Sequence, residues 1–378
     1  MITHRDTKPK RLDIDKNMEL LEKARAIINE VDEEMARLFV RRMEAVTMVA
    51  QYKKEHGLPV LDEAREEQII RAGATRVEDD LLREYYVNFI RNNMALSRAY
   101  QHRMLEGMRV AYSGTEGAFA HIATRRLFPS AEKVAFGDFA SAYRAVEEGA
   151  CDVVVLPVEN SSNGEVGQVT DLMFSGNLYV NSMLDLAVSH DLLVLPGTTK
   201  DQIKTVISHQ QALGQCGEYI RKAGWQTQEY VNTALAAKYV AGFGDPTVAA
   251  IASEEAGEIF GLEVLERNIN ASRSNTTRFA VFSRAENLRE SSRMGEHFIL
   301  MFTVKNEAGS LARAIDVIGH HGFNMRLLRS RPMKELLWQY YFYVEAEGCI
   351  HSAEGREMLS DLRSFCDRLK VVGTFAGV

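Results

Sequence analysis

The most chemically suggestive stretch of the sequence is a group of polar residues at the start of an apolar strand. In RSNTTRFAVF, residues 273–282, the second half alternates well enough to predict a β-strand. Asn275, Thr277 and Arg278 stand at its beginning. Hydroxyl and amide groups in this position can line a pocket that orients a polar substrate, or they can simply cap a turn. The stretch alone leaves both interpretations open.

Three further polar clusters follow strand-like runs. They are GTEGAFAH (114–121), PVENSSNG (157–164) and SHQQALGQC (208–216). Because open α/β sheets bind ligands at the carboxyl ends of their strands, all four clusters are expected to border one cleft. Singly they are weak signals, since Asn160 and Ser161 often cap helices, and His190 or His209 is more often an interior histidine than a catalyst. None matches a phosphate-binding or metal-binding motif, so no nucleotide, cofactor or metal is expected.

A second group of cationic and polar residues, which could bind a ligand, lies on the apolar faces of predicted helices. In the first helix, apolar residues recur every three or four positions, at Leu21, Ala24, Ile28, Val31, Met35 and Leu38. The same steps lead to Arg42 and Lys53, with Arg25 on the edge, and in a later helix they lead to Ser97 and Gln101. One such cation usually extends to water. Several together favour a dianionic ligand inside the bundle, since burying an unpaired cation costs several kcal/mol, roughly.

The elements that position these residues fall into three regions. Residues 18–104 contain no strand-like segment and read as three helices. Residues 109–284 alternate short strands with helices, which predicts an open α/β sheet. Beyond the charged joint at 286–296, the order β, α, β, β, α, β, with its second helix around 356–369, predicts a ferredoxin-like α+β unit. Domains are therefore expected at 15–104, 108–285 and 296–378.

Composition limits the possible partners. The chain has 378 residues, of which 46% are hydrophobic, and its formal net charge is −7, which argues against nonspecific nucleic-acid binding. Its four cysteines form no C-x-x-C pair, so reduced thiols are expected. The charged N-terminus lacks an apolar leader, and no run approaches the roughly 18 apolar residues of a spanning helix. We expect a cytoplasmic protein without membrane contact.

The predicted helical region, with these polar and cationic residues on its packed faces, resembles the all-helical chorismate mutase family. The resemblance implies an intertwined homodimer, or a higher homo-oligomer, in which Arg25 reaches the partner's site while Arg42 and Arg65 hold the two carboxylates of chorismate. It implies that Lys53 and Gln101 donate hydrogen bonds to the ether oxygen whose bond breaks. The chemistry agrees, because a Claisen rearrangement needs only a folded substrate conformer and charge placed where the ether oxygen becomes negative.

The remaining chorismate-binding residues implied by this resemblance are polar groups on the second and third helices. Asp62 and Glu66, in the segment LDEAREEQ, are expected near the ring hydroxyl and the lysine backbone. Ser97 is expected to contact the substrate.

The four polar clusters together resemble prephenate dehydratase, whose patterns P-[IV]-E-N-S, S-H-P-Q-A-L-x-Q-C and N-x-T-R-F occur in this order. The resemblance implies a two-lobed α/β fold, like a periplasmic binding protein, that closes over prephenate. Thr277 is the implied catalytic residue, and Glu159, Asn160, Ser161 and Arg278 are implied to bind the substrate. Because a threonine hydroxyl is hardly acidic, we expect it to orient and hydrogen-bond the departing ring hydroxyl in a dry cleft.

Three residues depart from the dehydratase pattern. Gln210 replaces a proline, Ala120 replaces the usual serine, and Gly167 stands where asparagine is common. Because the TTRF and VENSS segments are intact, these changes are expected to affect substrate affinity more than reaction class.

The C-terminal segment GSLARAIDVIGHHGFNMRLLRSRP resembles the ACT domain of the same enzymes, which binds phenylalanine between paired copies. Effector-binding roles are thereby implied for Gly309, Leu311, Asn324 and Ser330. Arg329 replaces the glutamate of the family's E-S-R-P motif and so reverses a charge. A dimerisation module that senses nothing is the alternative.

The sequence therefore predicts a bifunctional enzyme that converts chorismate through prephenate to phenylpyruvate, with feedback inhibition by phenylalanine. The alternative is a chorismate mutase fused to a non-catalytic module that senses prephenate or an amino acid. A fusion with prephenate dehydrogenase is disfavoured, because a glycine fingerprint for a nicotinamide cofactor is missing from the sequence.

Overall fold

The computed structural model describes residues 11–271, 274–286, 296–333 and 339–376, with side chains from residue 19 onward. The N-terminal residues 1–10, Arg273, Trp338, the last two residues and most of the charged joint lie outside the described residues. The chain divides into two compact units, residues 1–107 and 108–378. None of the described helices is both long and apolar enough to cross a membrane.

The described part of the first unit consists of three helices. They are α1 (Arg11–Glu55), α2 (Glu63–Ala74) and α3 (Asp80–Glu106). The chain leaves α1 through Gly57, whose positive φ of 63° suits glycine, and Pro59 follows. Asp62 and Asp79 then cap α2 and α3 by accepting backbone N–H groups. The prediction of an all-helical unit is confirmed.

The second unit contains strands and helices in alternation. In chain order they are β1 (Arg109–Ser113), α4 (Phe119–Leu127), β2 (Glu132–Phe136), α5 (Phe139–Glu147), β3 (Val153–Asn160), β4 (Gly164–Glu165), α6 (Gly167–Ser175), β5 (Tyr179–Ala187), β6 (Asp191–Val194), β7 (Thr205–Ser208), α7 (Gln210–Gln215), α8 (Gly217–Ala223), β8 (Gln226–Glu229), α9 (Thr233–Phe243), β9 (Val248–Ala252), α10 (Glu254–Phe260), β10 (Glu263–Glu266), β11 (Thr276–Ser283), β12 (Glu296–Val304), α11 (Ser310–His320), β13 (Asn324–Pro332), β14 (Tyr340–Glu347), α12 (Ala353–Arg363) and β15 (Cys366–Ala376). A 3₁₀ turn covers Lys200–Gln202.

Two sheets organise this unit into two lobes and a C-terminal module. The larger sheet has the order β13-β14-β12-β15-β5-β11-β3-β1-β2, with β4 paired to β3, and the smaller has the order β10-β6-β9-β7-β8. We call residues 108–188 with 274–286 the first lobe, residues 189–271 the second lobe, and residues 296–376 the C-terminal module. The chain crosses between the lobes twice, after β5 and after β10, so a cleft lies between them.

The C-terminal module continues the sheet of the first lobe. Its strand β15 meets β5 at Gly373, where a Cβ atom would lie 2.0 Å from the Val180 carbonyl oxygen. On the same strand, Arg368 donates to the Phe174 carbonyl (2.9 Å) and Lys370 to the Met173 carbonyl (2.5 Å), so cations meet the C-terminal end of α6. The two parts also share one apolar core, which includes Tyr143, Met173, Phe282, Ile299, Met301, Tyr341 and Val372.

The second helix of the C-terminal module ends earlier than its sequence predicts. Elements follow in the order β, α, β, β, α, β, but α12 ends at Arg363 and Leu369 belongs to β15. The expected helix over 356–369 is wrong in its second half, because residues from Cys366 onward pair with β12, with Cys366 opposite Val304. This pairing is between residues distant in sequence and overrides the local helical pattern.

Candidate active sites

The helical unit brings three of the predicted chorismate-binding residues together. Ser97 and Gln101 on α3 are each only 6% exposed, as the polar interruption of an apolar face predicts. Arg42 on α1 donates to the Ser97 hydroxyl, which in turn donates to the Asn93 carbonyl at 2.7 Å. The Gln101 amide nitrogen lies 3.3 Å from the Ser97 carbonyl, and its buried Oε1 has no hydrogen-bond partner among the described residues. A buried polar atom without a partner is costly and indicates a place for a ligand.

The other predicted residues of this unit occupy its edges. Lys53 donates to the Val60 carbonyl in the connection between α1 and α2. Glu66 forms a half-buried ion pair with Arg98 on α3. Asp62 accepts the backbone N–H of Arg65 at 3.0 Å as the N-cap of α2.

Two of the predicted arginines are exposed. The Arg65 guanidinium donates to Gln68 at 2.6 Å on the surface of α2. Arg25 lies about 25 Å from Arg42 along α1, judged from the rise per residue of an α-helix. Arg25 and Arg42 are therefore too far apart to bind one ligand within a single chain.

In the second unit, a cleft of about 450 Å³ separates the two lobes. Members of all four polar clusters line it, which confirms the prediction that they border one cleft. The clusters contribute Ala118 and Phe119, then Asn160, Asn163 and Gly164, then His209, Gln211, Ala212 and Gln215, and finally Asn275 and Thr277. β11 runs antiparallel to β3, so its beginning lies beside the carboxyl end of β3.

The Asn160 side chain organises the cleft around Thr277. Its amide nitrogen donates to Thr277 Oγ1 (2.9 Å) and to Asn275 Oδ1 (2.8 Å), and it lies 3.2 Å from the Thr276 carbonyl. Its amide oxygen accepts the backbone N–H groups of the next turn at 3.0 Å. Because Thr277 Oγ1 accepts a hydrogen bond from Asn160, its own hydrogen must point elsewhere, and no described residue accepts it. That hydrogen is left for a ligand in the cleft.

The same network continues to the second lobe through a glutamine and a histidine. Asn275 donates to Gln215 Oε1 at 3.1 Å, and His190 Nε2 lies 2.8 Å from the same oxygen. His190 is 4% exposed, and its Nδ1 has no hydrogen-bond partner among the described residues. Burial lowers the pKa of His190, so the ring is neutral at neutral pH, with its proton on Nε2 facing Gln215.

Glu159 and Arg278 are not among the residues that line this cleft, and their contact with the substrate stays a prediction. In the pairing of β3 with β11, Asn160 lies opposite Thr277 and Glu159 lies opposite Arg278. Successive side chains of a strand point to opposite faces, so the first pair faces the cleft and the second faces the C-terminal module. Arg278 accordingly pairs with Asp185 at 2.9 Å and lies 3.6 Å from the buried Glu345.

The Ser161 side chain forms hydrogen bonds with backbone groups and is not among the residues that line the cleft. Its hydroxyl accepts the Thr276 N–H and donates to the Ser274 carbonyl, both at 2.9 Å. The Ser161 hydroxyl therefore joins the end of β3 to the start of β11, while Thr277 faces the cleft.

The cleft obtains positive potential from helix ends. The N-cap residues of α4, α6, α7 and α9 all line it, namely Ala118, Val166, His209 and Asn232. Ala118 and Val166 offer no side-chain cap, so the first N–H groups of α4 and α6 are left to a ligand. Glu165 is the one acidic residue among the described lining residues, which include no Lys or Arg. Among the described residues, no cluster of three or more His, Cys, Asp or Glu is placed to hold a metal ion.

Comparison with known proteins assigns both units. Residues 24–102 match the chorismate mutase type II family and residues 110–287 match the prephenate dehydratase family. The bifunctional chorismate mutase/prephenate dehydratase of Enterobacter agglomerans is 30% identical over 363 residues, 92% of this chain and 94% of that protein. The Escherichia coli K12 protein of the same description matches with the same identity and coverage. The chain belongs to the bifunctional chorismate mutase/prephenate dehydratase family.

Solved structures resemble the second unit. The structure described as GqqA, a novel type of quorum quenching acylases, is 28% identical with a TM-score of 0.66, covering 71% of this chain and 98% of that one. The prephenate dehydratase of Arthrobacter aurescens in complex with L-Phe has a TM-score of 0.65 at 22% identity, covering 71% of this chain and 90% of that one. The two-lobed α/β fold with its C-terminal module is thus a known architecture.

As a chorismate mutase/prephenate dehydratase, the chain carries both activities. It rearranges chorismate to prephenate and converts prephenate to phenylpyruvate with loss of water and carbon dioxide. Gln215 lies in the polar cluster 208–216 but has no feature there that marks it as a site residue, and the sequence around His190 is typical of an interior histidine. Asn232 and Glu165 carried no motif at all.

The departures from the dehydratase pattern lie at different distances from the cleft. Gln210 is an exposed first residue of α7, and Ala120 is buried in α4 among first-lobe residues. Gly167 begins α6 beside Arg331.

The predicted effector residues are spread over the C-terminal module. Gly309 precedes α11 with a φ of 85°, and Leu311 packs on the core of the module. Asn324 donates to Glu347 at 2.9 Å, and Ser330 is exposed. These last two lie about 20 Å apart on β13, which is the edge strand of the large sheet, so one chain does not gather them.

Proposed function

We propose that prephenate reacts in the cleft beside Thr277. The observation that carries this proposal is the hydrogen bond from Asn160 to Thr277 Oγ1, because it turns the hydroxyl hydrogen toward the substrate. As the bond between the ring and its carboxylate breaks, carbon dioxide leaves and the electron pair of that bond enters the ring and expels the ring hydroxyl, which takes a proton that comes ultimately from solvent and leaves as water. Thr277 stabilises the negative charge that develops on this oxygen.

Helix ends support the binding of the substrate's carboxylates. Prephenate is a dianion, and the described cleft residues include no cation that could pair with it. The N–H groups at the starts of α4 and α6, whose N-cap residues line the cleft, carry the partial positive charge that a carboxylate prefers. Closure of the lobes then excludes water and strengthens each of these interactions.

The chorismate site is proposed to combine Arg42, Lys53, Ser97 and Gln101 of one chain with Arg25 of another. Arg42 already faces the buried Ser97, and a substrate carboxylate would replace this hydroxyl as its partner. Gln101 and Lys53 would donate to the ether oxygen, and Asp62, Arg65 and Glu66 would border the site from α2.

An uncovered apolar face on α1 supports the proposed dimer. Its side chains are between 42% and 57% exposed in the single chain, although they form one stripe, at Leu21, Ile28, Val31, Met35 and Leu38. An exposed apolar patch of this kind commonly marks a surface that another chain covers. The partner's helix would also bring Arg25 within reach of a site it cannot reach in its own chain.

The C-terminal module is proposed to be an ACT domain that binds phenylalanine between copies. Its β, α, β, β, α, β order and its exposed edge strand β13 suit pairing with a second module. The similarly folded Arthrobacter aurescens enzyme, solved in complex with L-Phe, supports phenylalanine as the effector.

One time course tests the two sites together. The purified chain is given chorismate at neutral pH, and chorismate, prephenate and phenylpyruvate are sampled without acidification, because acid alone dehydrates prephenate. A prephenate transient followed by phenylpyruvate is expected. Prephenate that accumulates and persists would favour the non-catalytic alternative for the second unit.

A further inference from the structure

The turn that carries Asn160 belongs to a hairpin with a glutamate on each strand. β3 and β4 pair antiparallel, with Asn160 opposite Gly164 and Glu159 opposite Glu165. Like charges directly opposite each other destabilise a strand pair. The hairpin sequence ENSSNGE contains no cation, and the two side chains are only 30% and 19% exposed. On the neighbouring strand β11, Arg278 lies opposite Glu159 but forms its ion pair with Asp185, so the hairpin needs further positive charge from elsewhere.

Two arginines of the C-terminal module supply this charge. Arg329 on β13 forms an ion pair with Glu159. Arg331, two residues further on, places its guanidinium 3.6 Å from Glu165 and 3.1 Å from Asp171. Residues two apart on a strand share one face, so β13 presents both cations to the same side. One arginine thus meets each glutamate of the hairpin.

The Arg331 guanidinium is held in place by further contacts. The Tyr341 hydroxyl accepts a hydrogen bond from Arg331 at 3.0 Å and donates one to Asp171 at 2.7 Å. A Cβ atom on Gly167 would lie 2.3 Å from the nearest guanidinium nitrogen. A side chain at this position would displace Arg331, so glycine at the start of α6 leaves the space that the arginine uses.

We propose that Arg329 and Arg331 are positioning residues of the dehydratase. By neutralising Glu159 and Glu165, they hold the hairpin in the shape that presents Asn160 to Thr277. Neither arginine lines the cleft, so both act through the hairpin. The C-terminal module is then a structural part of the dehydratase site, whatever it senses. This inference rests on the proposed assignment of the cleft to prephenate.

The test compares three substitutions on one strand of the full-length chain. Arg329→Gln and Arg331→Gln each remove a cation that reaches the hairpin. Arg326→Gln is the matched control, since Arg326 pairs with Glu347 inside the C-terminal module. We expect the first two to lower the dehydratase kcat by about 10-fold to 100-fold, the effect of misplacing a catalytic group by about 1 Å. The control should stay within about twofold, and mutase activity should be unchanged in all three.

Two double variants distinguish positioning from general damage. Glu159→Gln added to Arg329→Gln removes the repulsion and should recover most of the lost kcat. Gly167→Ala alone should lower kcat, but in an Arg331→Ala background it should cost nothing more, because the displaced group is gone.

Several results would overturn the proposal. These are a kcat within twofold of wild type in both arginine variants, a failure of Glu159→Gln to rescue Arg329→Gln, or a parallel loss of both activities. Failure of the site assignment itself is a separate outcome, since it appears as full dehydratase activity after loss of the Thr277 hydroxyl.

Discussion

Replacement of Thr277 by valine separates catalysis from folding. The substitution removes one hydroxyl and keeps a β-branched side chain suited to a strand. Asn160 Nδ2 has two hydrogens, and it retains the Asn275 oxygen at 2.8 Å and the Thr276 carbonyl at 3.2 Å. No donor is left without an acceptor, so we expect a stability loss of about 1 kcal/mol or less.

The catalytic loss should be much larger than this stability loss. Removing one preorganised donor to a developing oxyanion costs about 2.7–4 kcal/mol, or about 10²–10³ in rate. The assay is the initial rate of phenylpyruvate formation from prephenate at neutral pH, with mutase activity measured in the same preparation. Thr277→Ser keeps the hydroxyl and should retain most of the activity. A Thr277→Val rate within about threefold of wild type would refute the role of this hydroxyl.

Three further predictions concern subunit exchange, regulation and pH. The Arg25→Ala and Gln101→Leu variants should each lose mutase activity. Refolding equal amounts of the two variants together should restore about a quarter of the wild-type rate, because half of the dimers then hold one complete site. If no activity returned, Arg25 would lie outside the partner's site. Phenylalanine should lower the dehydratase rate cooperatively, and a flat response up to millimolar concentrations would retire the sensor. Burial lowers the pKa of His190 below its ordinary 6.5, so the unfolded chain binds its proton first as the pH falls. The free energy of unfolding should therefore decrease below pH 6.5, and His190→Gln should flatten the dependence of the melting temperature between pH 7.5 and pH 5; an unchanged slope would contradict this.

The sequence predicted the helices of the first unit and the meeting of four clusters, because both depend on simple geometry. A regular apolar period places Ser97 and Gln101 on a packed face, and strands of one sheet end at one edge. Short polar strands such as β8, whose four residues QTQE are all exposed, gave no such signal. They pair with neighbours that a local pattern does not identify.

The placement of Glu159 and Arg278 outside the cleft lining has a different origin. A sequence motif groups adjacent residues into one predicted site, whereas adjacent side chains of a β-strand point to opposite faces of the sheet. Asn160 and Thr277 face the cleft, and their chain neighbours face the C-terminal module, where Arg329 lies. Strand alternation was readable from the sequence, but the module on the other face was not, because that contact joins residues 170 positions apart.

The shared core of the first lobe and the C-terminal module bears on how the chain melts. The predicted boundary at residue 296 separates sequence patterns, yet Ile299, Met301 and Val372 complete the same apolar cluster as Tyr143 and Phe282. A boundary that cuts through a core does not divide cooperative units. Calorimetry should therefore give one transition for these two parts, and a chain shortened at residue 295 should expose apolar surface and aggregate. The module and the first lobe are then expected to fold as one cooperative unit, and the module should not fold as an independent domain.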